Sequence, residues 1–398
     1  MTKPYKKMTY FALTLDPIHV GTGGYRLGRV DNTIIREPGT NLPKIPGTSL
    51  SGVARAYTAM AIQSKYPNDP RKMKYLRPHR VKAKKETERD KIIYYSCAGK
   101  GIEDGEGHCG EPDCEVCIAF GFSKGKTNSS FQGLAQFFDA QILFFPIHSM
   151  IGPVWISSPS SLENAGIFAE YIPPEDWGKM EDNLSKVVNG KREDFFFTLC
   201  TQAGNYLNLG WLYLPKVATI KINNQEIPDP SQWQFKDVNS TPKKLSCADL
   251  KDIILDRAII VSNSLFSRIV NDNLEVRTSV AIDPATGAAE KGALYSYEAI
   301  PRATILWFDV LYNKPEYFRI KRGGKSDEAE EIMKNEKGKI EKADWKWIRD
   351  NVEEGLSLFE HLGVGGMGTR GMGRMRILNL ETKNVLSSKG KEEGGKND

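Results

Sequence analysis

The sequence has no long uninterrupted apolar run. The longest apolar stretches among its 398 residues, such as Ala140 to Met150, are broken by polar residues and proline, and none reaches the roughly 20 residues that a membrane-spanning helix needs. We also expect no secretory leader, because Met1 to Tyr10 carries three lysines but no long apolar segment ahead of a cleavage site. We therefore expect a cytoplasmic protein with no membrane partner.

Cysteine is scarce, and its distribution argues against a disulfide framework. Four of the six cysteines lie between Cys97 and Cys117, whereas Cys200 and Cys247 stand alone and are expected to fill core positions. The clustered cysteines have the spacing of a metal chelate in an intracellular protein. We expect structural zinc on a loop too short and polar to form its own core, with His108 as the alternative to Cys97 in the ligand set Cys97, Cys109, Cys114 and Cys117.

The two ends of the chain have similar patterns. Near the N-terminus, a strand at Met8 to Leu15 is followed by a glycine-rich loop at Ile18 to Gly28 and by a helix. Near the C-terminus, a helix precedes a glycine-rich loop at Gly363 to Gly373 and a strand at Met375 to Leu380. The apolar residues of the two helices recur at helical spacing, at Leu50, Val53, Ala54, Tyr57, Met60 and Ala61 and at Trp345, Ile348, Val352, Leu356 and Phe359.

Between the two ends, Gln136 to Phe145 and Thr304 to Leu311 are alternating or continuously apolar and are predicted to be strands. Together these segments predict an α+β fold, a ferredoxin-like antiparallel sheet with helices on one face. We expect one module over residues 1–385, with insertions at about 66–130, 238–300 and 321–342, and a disordered tail at 386–398. The second insertion contains a hairpin signal, and the third is expected to be a charged, solvated helical connection.

The loop Gly363 to Gly373 contains a literal G-x-G-x-x-G, the fingerprint of dinucleotide binding. A Rossmann loop follows a strand and opens a helix, whereas this loop follows a helix and precedes a strand, so that assignment is excluded. Glycines interspersed with Arg370, Arg374 and Arg376 favour contact with RNA phosphates over a merely flexible turn.

The predicted helix that begins near Thr48 has features of an anion site. Thr48 or Ser49 is expected to be its N-cap, and free N–H groups lie beside hydroxyls and two cations, Lys44 and Arg55. Simple capping and anion binding are compatible functions of the same residues.

Asp31 follows the first glycine-rich loop and, by spacing alone, is a surface turn residue. If it is catalytic, the lack of neighbouring carboxylates argues against a two-metal nuclease. A solitary carboxylate suits attack of an RNA 2′-OH on the adjacent phosphate, as general base or as ligand of one divalent ion. His19 is the rival acid or base, although its position between proline, isoleucine and valine suits a structural or RNA-contacting role.

Several segments together resemble the RAMP superfamily of CRISPR proteins: 15–23, 44–52 and 363–373. Further segments are similar to the backbone subunit of Cmr-type (III-B) effectors: 139–149, 155–159, 281–287, 292–294 and 298–301. The cysteine-rich segment that ends at 117–121 is instead similar to the sister subunit of Csm-type (III-A) complexes, which leaves the subtype open.

The resemblance implies a prokaryotic protein with an RRM-like palm and a thumb hairpin within Asn263 to Glu298. Several copies would stack along a CRISPR guide RNA with other type III subunits, and Asp31, in Val30 to Glu37, would cut target single-stranded RNA at regular intervals with Mg or Mn. The basic stretch Arg71 to Lys91, ten lysines and arginines against three acidic residues, is then an RNA-facing lid or a solvated loop. The expected RNA contacts are His19, Lys44, Ser49, Ser51, Arg55, Arg268, Arg277, Gly365, Gly366, Gly368, Thr369, Arg370, Gly371 and Gly373.

Two alternatives belong to other functional classes. In the first, the chain is an architectural RNA-binding subunit in which Asp31 only stabilises a turn. In the second, it is a guide-processing endoribonuclease of the same superfamily that uses His19.

Overall fold

A computed structural model gives the structure of the protein. It describes residues 3–23, 30–65, 78–81, 91–94, 97–99, 108–123, 130–167, 176–188, 191–198, 202–217, 221–222, 225–226, 234–235, 243–244, 257–290, 294–321, 329–336 and 339–380. None of the helices in these ranges is long and apolar enough to cross a membrane. Most of the basic stretch 71–91 and all of the tail 386–398 lie outside the described residues, as do Cys200 and Cys247.

The described part of the chain contains helices and strands throughout. The α-helices are α1 Gly47–Lys65, α2 Glu115–Phe120, α3 Pro159–Asn164, α4 Trp177–Leu184, α5 Asn263–Asp272, α6 Trp345–Ser357 and α7 Phe359–Leu362. The strands are β1 Tyr5–Thr14, β2 Lys44–Ile45, β3 Pro78–Val81, β4 Lys91–Tyr94, β5 Gly121–Phe122, β6 Phe131–Gln132, β7 Ala135–Phe137, β8 Ala140–Ser149, β9 Gly152–Ser157, β10 Ser185–Val188, β11 Lys191–Asp194, β12 Phe196–Phe197, β13 Tyr206–Leu209, β14 Leu212–Pro215, β15 Lys221–Ile222, β16 Gln225–Glu226, β17 Gln234–Phe235, β18 Lys243–Lys244, β19 Ala258–Val261, β20 Glu275–Ser279, β21 Tyr295–Ala299, β22 Ile305–Asn313, β23 Arg319–Lys321, β24 Ala329–Glu331, β25 Met333–Glu336, β26 Lys339–Lys342 and β27 Met375–Ile377.

A nine-stranded sheet forms the centre of a mixed α/β fold. Seven strands follow the order β12-β19-β9-β8-β22-β1-β27, with β2 on β8 and β7 on β22. The long strand β1 lies antiparallel to β22, from Tyr5 opposite Asn313 to Leu13 opposite Ile305. On its other side β1 pairs antiparallel with β27, while β9 and β19 form a parallel pair. The first and last strands of the chain are therefore neighbours.

Side chains from the central strands pack on both faces of this sheet. On β22, Leu306, Phe308 and Val310 belong to the main core, whereas Ile305 and Trp307 belong to a second core on the opposite face. Successive side chains of a strand point to opposite faces. The nearly continuous apolar run of this strand follows from burial on both sides.

Helices α1 and α6 pack together over the main core. Leu50 of α1 and Val352 of α6 are both fully buried there. The two helix backbones come close at Gly355, where a Cβ atom would lie 2.3 Å from the Thr58 Oγ1 and 2.6 Å from the Ala54 carbonyl oxygen. A glycine at this position permits the close approach.

The predicted core helices and the predicted strands at Met8 to Leu15 and Thr304 to Leu311 are confirmed. The segment Gln136 to Phe145 instead forms two strands, β7 and β8, and the sheet is not purely antiparallel, because β9 and β19 are parallel. Two further predictions need correction. Helix α1 begins at Gly47, so Thr48 and Ser49 lie within the helix and the prediction that either is its N-cap is wrong. The expected helical connection at 321–342 is also wrong in its described part, which forms strands β24, β25 and β26. Ile332, in this connection, is buried in the main core, so the connection is anchored by packing rather than fully solvated.

Candidate nucleic-acid interface and metal site

Four segments from distant parts of the sequence meet at one end of the sheet, and we call their described residues the loop cluster: 15–23, 30–36, 275–290 with 294–299, and 363–373. Isolated bridges join Ile18 to Ile300 at its margin, His19 to Gly366, and Asn32 to Tyr297. Backbone hydrogen bonds hold the segments together; the Gly366 N–H donates to the His19 carbonyl at 2.8 Å. The cluster thus brings Asp31 and His19 next to the β20–β21 hairpin and the C-terminal glycine-rich loop.

The glycines of the C-terminal loop serve two different purposes. Gly365 has a φ of +87°, and a Cβ atom there would lie 2.5 Å from the His19 carbonyl oxygen. At Gly373 the corresponding distance to the Val364 carbonyl oxygen is 2.6 Å. These two glycines therefore allow protein backbones to cross closely, whereas Gly368 and Gly371 have no atom within 4 Å of a Cβ position and leave room for an external ligand.

The three arginines of this C-terminal region all have partners in the protein. The Arg374 guanidinium donates to both carboxylate oxygens of Asp16, at 2.5 and 3.1 Å. Arg376 donates twice to Glu360. Arg370 instead contacts neutral groups of the hairpin: it donates to the Tyr295 hydroxyl and to the Ser279 Oγ, and its guanidinium lies 5.7 Å from the Tyr295 ring centroid. Because these partners are uncharged, no ion pair among the described residues compensates the positive charge of Arg370.

Asp31 is exposed, and Ser296 holds its carboxylate. Its Oδ2 accepts hydrogen bonds from the Ser296 backbone N–H at 2.7 Å and from the Ser296 hydroxyl at 3.0 Å. These hydrogen bonds, with the one from the backbone N–H as the largest contribution, lower the pKa of Asp31 below its ordinary value. The carboxylate is therefore ionised at neutral pH, and Ser296 was not among the residues predicted from the sequence.

His19 is buried and fixed within the loop cluster. Its Nδ1 lies 2.6 Å from the Glu298 carbonyl oxygen, and because a carbonyl only accepts, Nδ1 carries the proton. The imidazole edge meets the Tyr297 ring at a centroid distance of 5.8 Å. These contacts favour the structural role of His19 over that of an acid or base.

An ion pair that sequence reasoning missed joins segment 30–36 to the hairpin. The Arg36 Nη2 lies 2.8 Å from the Glu298 Oε2, and the Arg36 Nε donates to the Asn271 Oδ1 at 2.9 Å. The strand sequence Tyr295-Ser-Tyr-Glu298 carried the available signal, because it alternates aromatic and polar side chains next to a predicted hairpin. Two arginines within 263–298 were expected to contact RNA. Arg268 is exposed on α5, and Arg277, on β20, donates to Glu275.

The N-terminus of α1 is occupied by a carboxylate of the protein itself. The Asp139 Oδ1 accepts from the Gly47 N–H at 2.8 Å. The Lys44 ammonium lies 2.7 Å from the Asp139 Oδ2 and 2.6 Å from the Glu37 Oε2, and the hydrogen bond to Asp139 is the main reason that the pKa of Lys44 is raised. The anion at this helix N-terminus is thus the Asp139 carboxylate. Ser49 and Ser51 lie within α1 and are partly exposed.

The four clustered cysteines form one buried group. The sulfur atoms of Cys97, Cys109, Cys114 and Cys117 all lie within 4.8 Å of one another, and Cys114 precedes α2, where its sulfur accepts from the Cys117 N–H. Four converging soft donors suit a tetrahedral zinc ion. The predicted spacing is therefore matched by a geometry that can hold a metal.

Arg55 and His108 lie beside these cysteines. The Arg55 guanidinium donates to the Cys97 carbonyl at 2.6 Å, to the Gly121 carbonyl at 2.7 Å and to the His108 Nδ1 at 3.0 Å. Burial, followed by the Arg55 charge, lowers the pKa of His108 to about 4. His108 is thus a hydrogen-bond acceptor outside the four-cysteine group, and Arg55 braces this group instead of projecting toward RNA as expected.

A cleft of about 540 Å³ lies beside Lys44 and includes Ser158, Asn164 and Ser264 in its lining. No residue of the loop cluster lines this cleft. It is a separate feature from the Asp31 surface.

Comparison with known proteins gives one family match and several more distant likenesses. The chain is 23% identical over 299 residues to the CRISPR system Cmr endoribonuclease Cmr4 of Pyrococcus furiosus, covering 75% of this chain and 79% of that protein. A cryo-EM structure of type III-B Cmr-beta in the apo state has a TM-score of 0.48 at 14% identity, covering 94% of this chain and 96% of that one. A crystal structure of Cmr4 has a TM-score of 0.46 at 17% identity, covering 94% and 100%. The sequence model of the RAMP superfamily matches residues 12–376, and the chain therefore belongs to the RAMP superfamily.

Proposed function

We propose that this protein is the guide-RNA-binding backbone subunit of a type III-B CRISPR effector and that it cleaves guide-paired target RNA at regular intervals with Asp31. The observation that carries the proposal is the Asp31 carboxylate, which is exposed, ionised and held by Ser296 within a cluster of four loops. Further support comes from the family membership and from the distant relative named as an endoribonuclease.

In this proposal, residues 1–385 form one module with an RRM-like, ferredoxin-like palm. The palm comprises β1, α1, β8, β22, α6 and β27, and the sheet order β27-β1-β22-β8 supports it. The thumb comprises α5 and the β20–β21 hairpin. The insertion at about 66–130 is a lid with the zinc loop.

The proposed reaction is internal transesterification. The RNA 2′-hydroxyl loses its proton to water as its oxygen bonds to the adjacent phosphorus, the bond from phosphorus to the 5′-oxygen breaks, and that oxygen takes a proton from water, which leaves a 2′,3′-cyclic phosphate and a 5′-hydroxyl. Because its pKa is lowered, Asp31 is a weak base and suits an electrostatic or ligand role better than proton abstraction. A divalent cation, Mg or Mn, would supply stabilisation of the charge on the phosphate, and Asp31 is the residue that would hold it.

RNA recognition in this proposal does not depend on base identity. Arg370 and the open glycines 368 and 371 would contact the backbone, and the partly exposed Tyr295 of β21 would offer a ring for stacking. Pairing with the guide would select the target sequence. The partners are therefore the guide RNA, the target RNA, further copies of the chain and other type III subunits.

The four cysteines would hold a structural zinc ion that keeps the lid folded. All four sulfurs are buried and converge, which leaves no exposed ligand position of the kind that catalytic zinc needs. Arg55 would support the ion indirectly by fixing the Cys97 and Gly121 carbonyls.

Replacement of Asp31 by asparagine tests the catalytic proposal. The amide oxygen can still accept both hydrogen bonds from Ser296, so the Asp31→Asn complex should assemble and bind target RNA normally. We expect its cleavage rate to fall at least about a hundredfold, a typical loss for removal of one catalytic charge. Cleavage of labelled target by the reconstituted complex, resolved on a sequencing gel, measures this.

Asp182→Asn is the matched control, because Asp182 is exposed on α4 and has no role in the proposed site. Cleavage by Asp31→Asn at the wild-type rate would refute the proposal.

An architectural RNA-binding subunit is the second candidate, since the same Ser296 hydrogen bonds also fit a turn that Asp31 stabilises. Intact target after incubation of the wild-type complex with divalent metal would favour it.

A further inference from the structure

Segment 30–32 docks along the edge of β21 as a short parallel strand. The Asn32 N–H donates to the Ser296 carbonyl at 3.0 Å, and the Glu298 N–H donates to the Asn32 carbonyl at 3.0 Å. The Ser296 N–H points to the same edge, but its acceptor is the Asp31 side chain at 2.7 Å. The carboxylate therefore occupies the place of a backbone carbonyl in the ladder.

The Ser296 hydroxyl makes the contact reciprocal. It donates to the Asp31 Oδ2 at 3.0 Å and accepts from the Asp31 N–H at 3.2 Å. Both donors from Ser296 bind the same carboxylate oxygen, and among the described residues none donates to Oδ1. One oxygen is thus fixed by the protein and the other is presented to the surface.

We propose that Ser296 is a positioning residue through which the β20–β21 hairpin holds the Asp31 carboxylate in its reactive orientation; this inference rests on the proposed function. An exposed aspartate samples several rotamers, and two donors on one oxygen select a single one. The positioning group lies on the hairpin and the carboxylate on another segment, so cleavage requires that the hairpin stay docked against residues 30–32.

The donors are uncharged, and this has a chemical consequence. An arginine or lysine in place of Ser296 would neutralise Asp31, as Arg374 does for Asp16 in the same cluster. Hydrogen bonds from a hydroxyl and a backbone N–H orient the carboxylate and keep it ionised. The full negative charge remains available to the reacting site.

The test compares Ser296→Ala and Ser296→Thr in the reconstituted complex. Alanine removes the hydroxyl contacts to the Asp31 carboxylate and to the Asp31 N–H and keeps the backbone donor. We expect the single-turnover cleavage rate to fall about tenfold, the effect of the one hydrogen bond lost at the carboxylate. The Kd for target RNA should stay unchanged, because the hydroxyl acts on the carboxylate rather than on binding. Threonine retains the hydroxyl and should restore most of the rate.

Ser64→Ala is the control, because the Ser64 hydroxyl donates a hydrogen bond to the local Ala61 carbonyl within α1, away from the loop cluster. A wild-type rate in Ser296→Ala would overturn the inference, as would an equal loss of binding and rate, or a Ser296→Thr rate as low as that of alanine. Each of these results leaves the Asp31 proposal standing if Asp31→Asn still fails to cut. Normal cleavage by Asp31→Asn would instead remove the proposed function and the inference with it.

Discussion

Several charged side chains in and next to the loop cluster form ion pairs within the protein. Arg374 pairs with Asp16, Arg36 with Glu298, and Arg277 with Glu275. Asp31 differs, because its hydrogen-bond donors are the uncharged groups of Ser296. No cationic side chain among the described residues neutralises its charge, and a catalytic or metal-binding carboxylate needs such an uncompensated charge.

Gly365→Ala should destabilise the protein by about 1–3 kcal/mol, the typical cost of a strained backbone position. The new alanine would have to adopt a φ of +87°, and its Cβ would lie 2.5 Å from the His19 carbonyl oxygen. Thermal unfolding of the purified chain measures the effect. Gly368→Ala is the matched control, because that glycine has open space and no left-handed φ; equal stability of the two variants would contradict the close-crossing argument.

At the residue scale, local sequence predicted the types of site residue better than their partners. The spacing of Cys109, Cys114 and Cys117 predicted a chelating group, and in the structure their sulfur atoms converge with that of Cys97 in a geometry that could hold a metal. Arg55 was expected at an anion site, yet its guanidinium binds carbonyls from residues 97 and 121. Such contacts depend on tertiary packing, and no local pattern encodes them.

At the scale of elements, periodicity predicted α1, α6, β1 and β22 because each has a face or two faces buried in a core. The predicted start of α1 was wrong by two or three residues, since the Asp139 carboxylate, distant in sequence, accepts a hydrogen bond from the Gly47 N–H. The helix predicted at 321–342 was wrong because the charged sequence is also compatible with short hairpins. One apolar residue, Ile332, is buried and anchors this connection.

The cysteine loop should depend on metal for its structure. Removal of zinc by a chelator should lower the melting temperature, because the free energy of metal binding would no longer stabilise the folded loop, which has little apolar core of its own. Elemental analysis should find about one zinc per chain, as expected for one four-ligand site. Near-zero zinc together with an unchanged melting temperature would end the zinc proposal.

Cys97→Ser and His108→Ala separate the two possible fourth ligands. Cys97 belongs to the group of converging sulfurs, whereas His108 accepts from Arg55. Zinc content should therefore fall in the first variant and persist in the second. The reverse result would assign the fourth ligand to the histidine.

At the scale of the whole molecule, the sheet brings both ends of the sequence together. β1 and β27 are neighbours, so the loop after β1 and the loop before β27 emerge at the same end, and the β20–β21 hairpin joins them there. The loop cluster is thus a product of topology. The sequence predicts the segments of the loop cluster. Their contacts with Ser296 and Tyr295 form only when the sheet is complete.

Guide binding by this whole surface predicts that the protein, purified with its native partners, carries RNA of discrete length. A net charge of only +5 favours a specific assembly over diffuse attraction, because non-specific binding scales with the number of phosphates neutralised. Stacked copies would protect a fixed number of nucleotides each, so nuclease treatment should leave sharp bands on a denaturing gel. The Asp31→Asn complex should carry the same RNA, since cleavage of target is separate from retention of the guide. A continuous ladder, or no RNA after a low-salt purification, would contradict the backbone-subunit proposal at this scale.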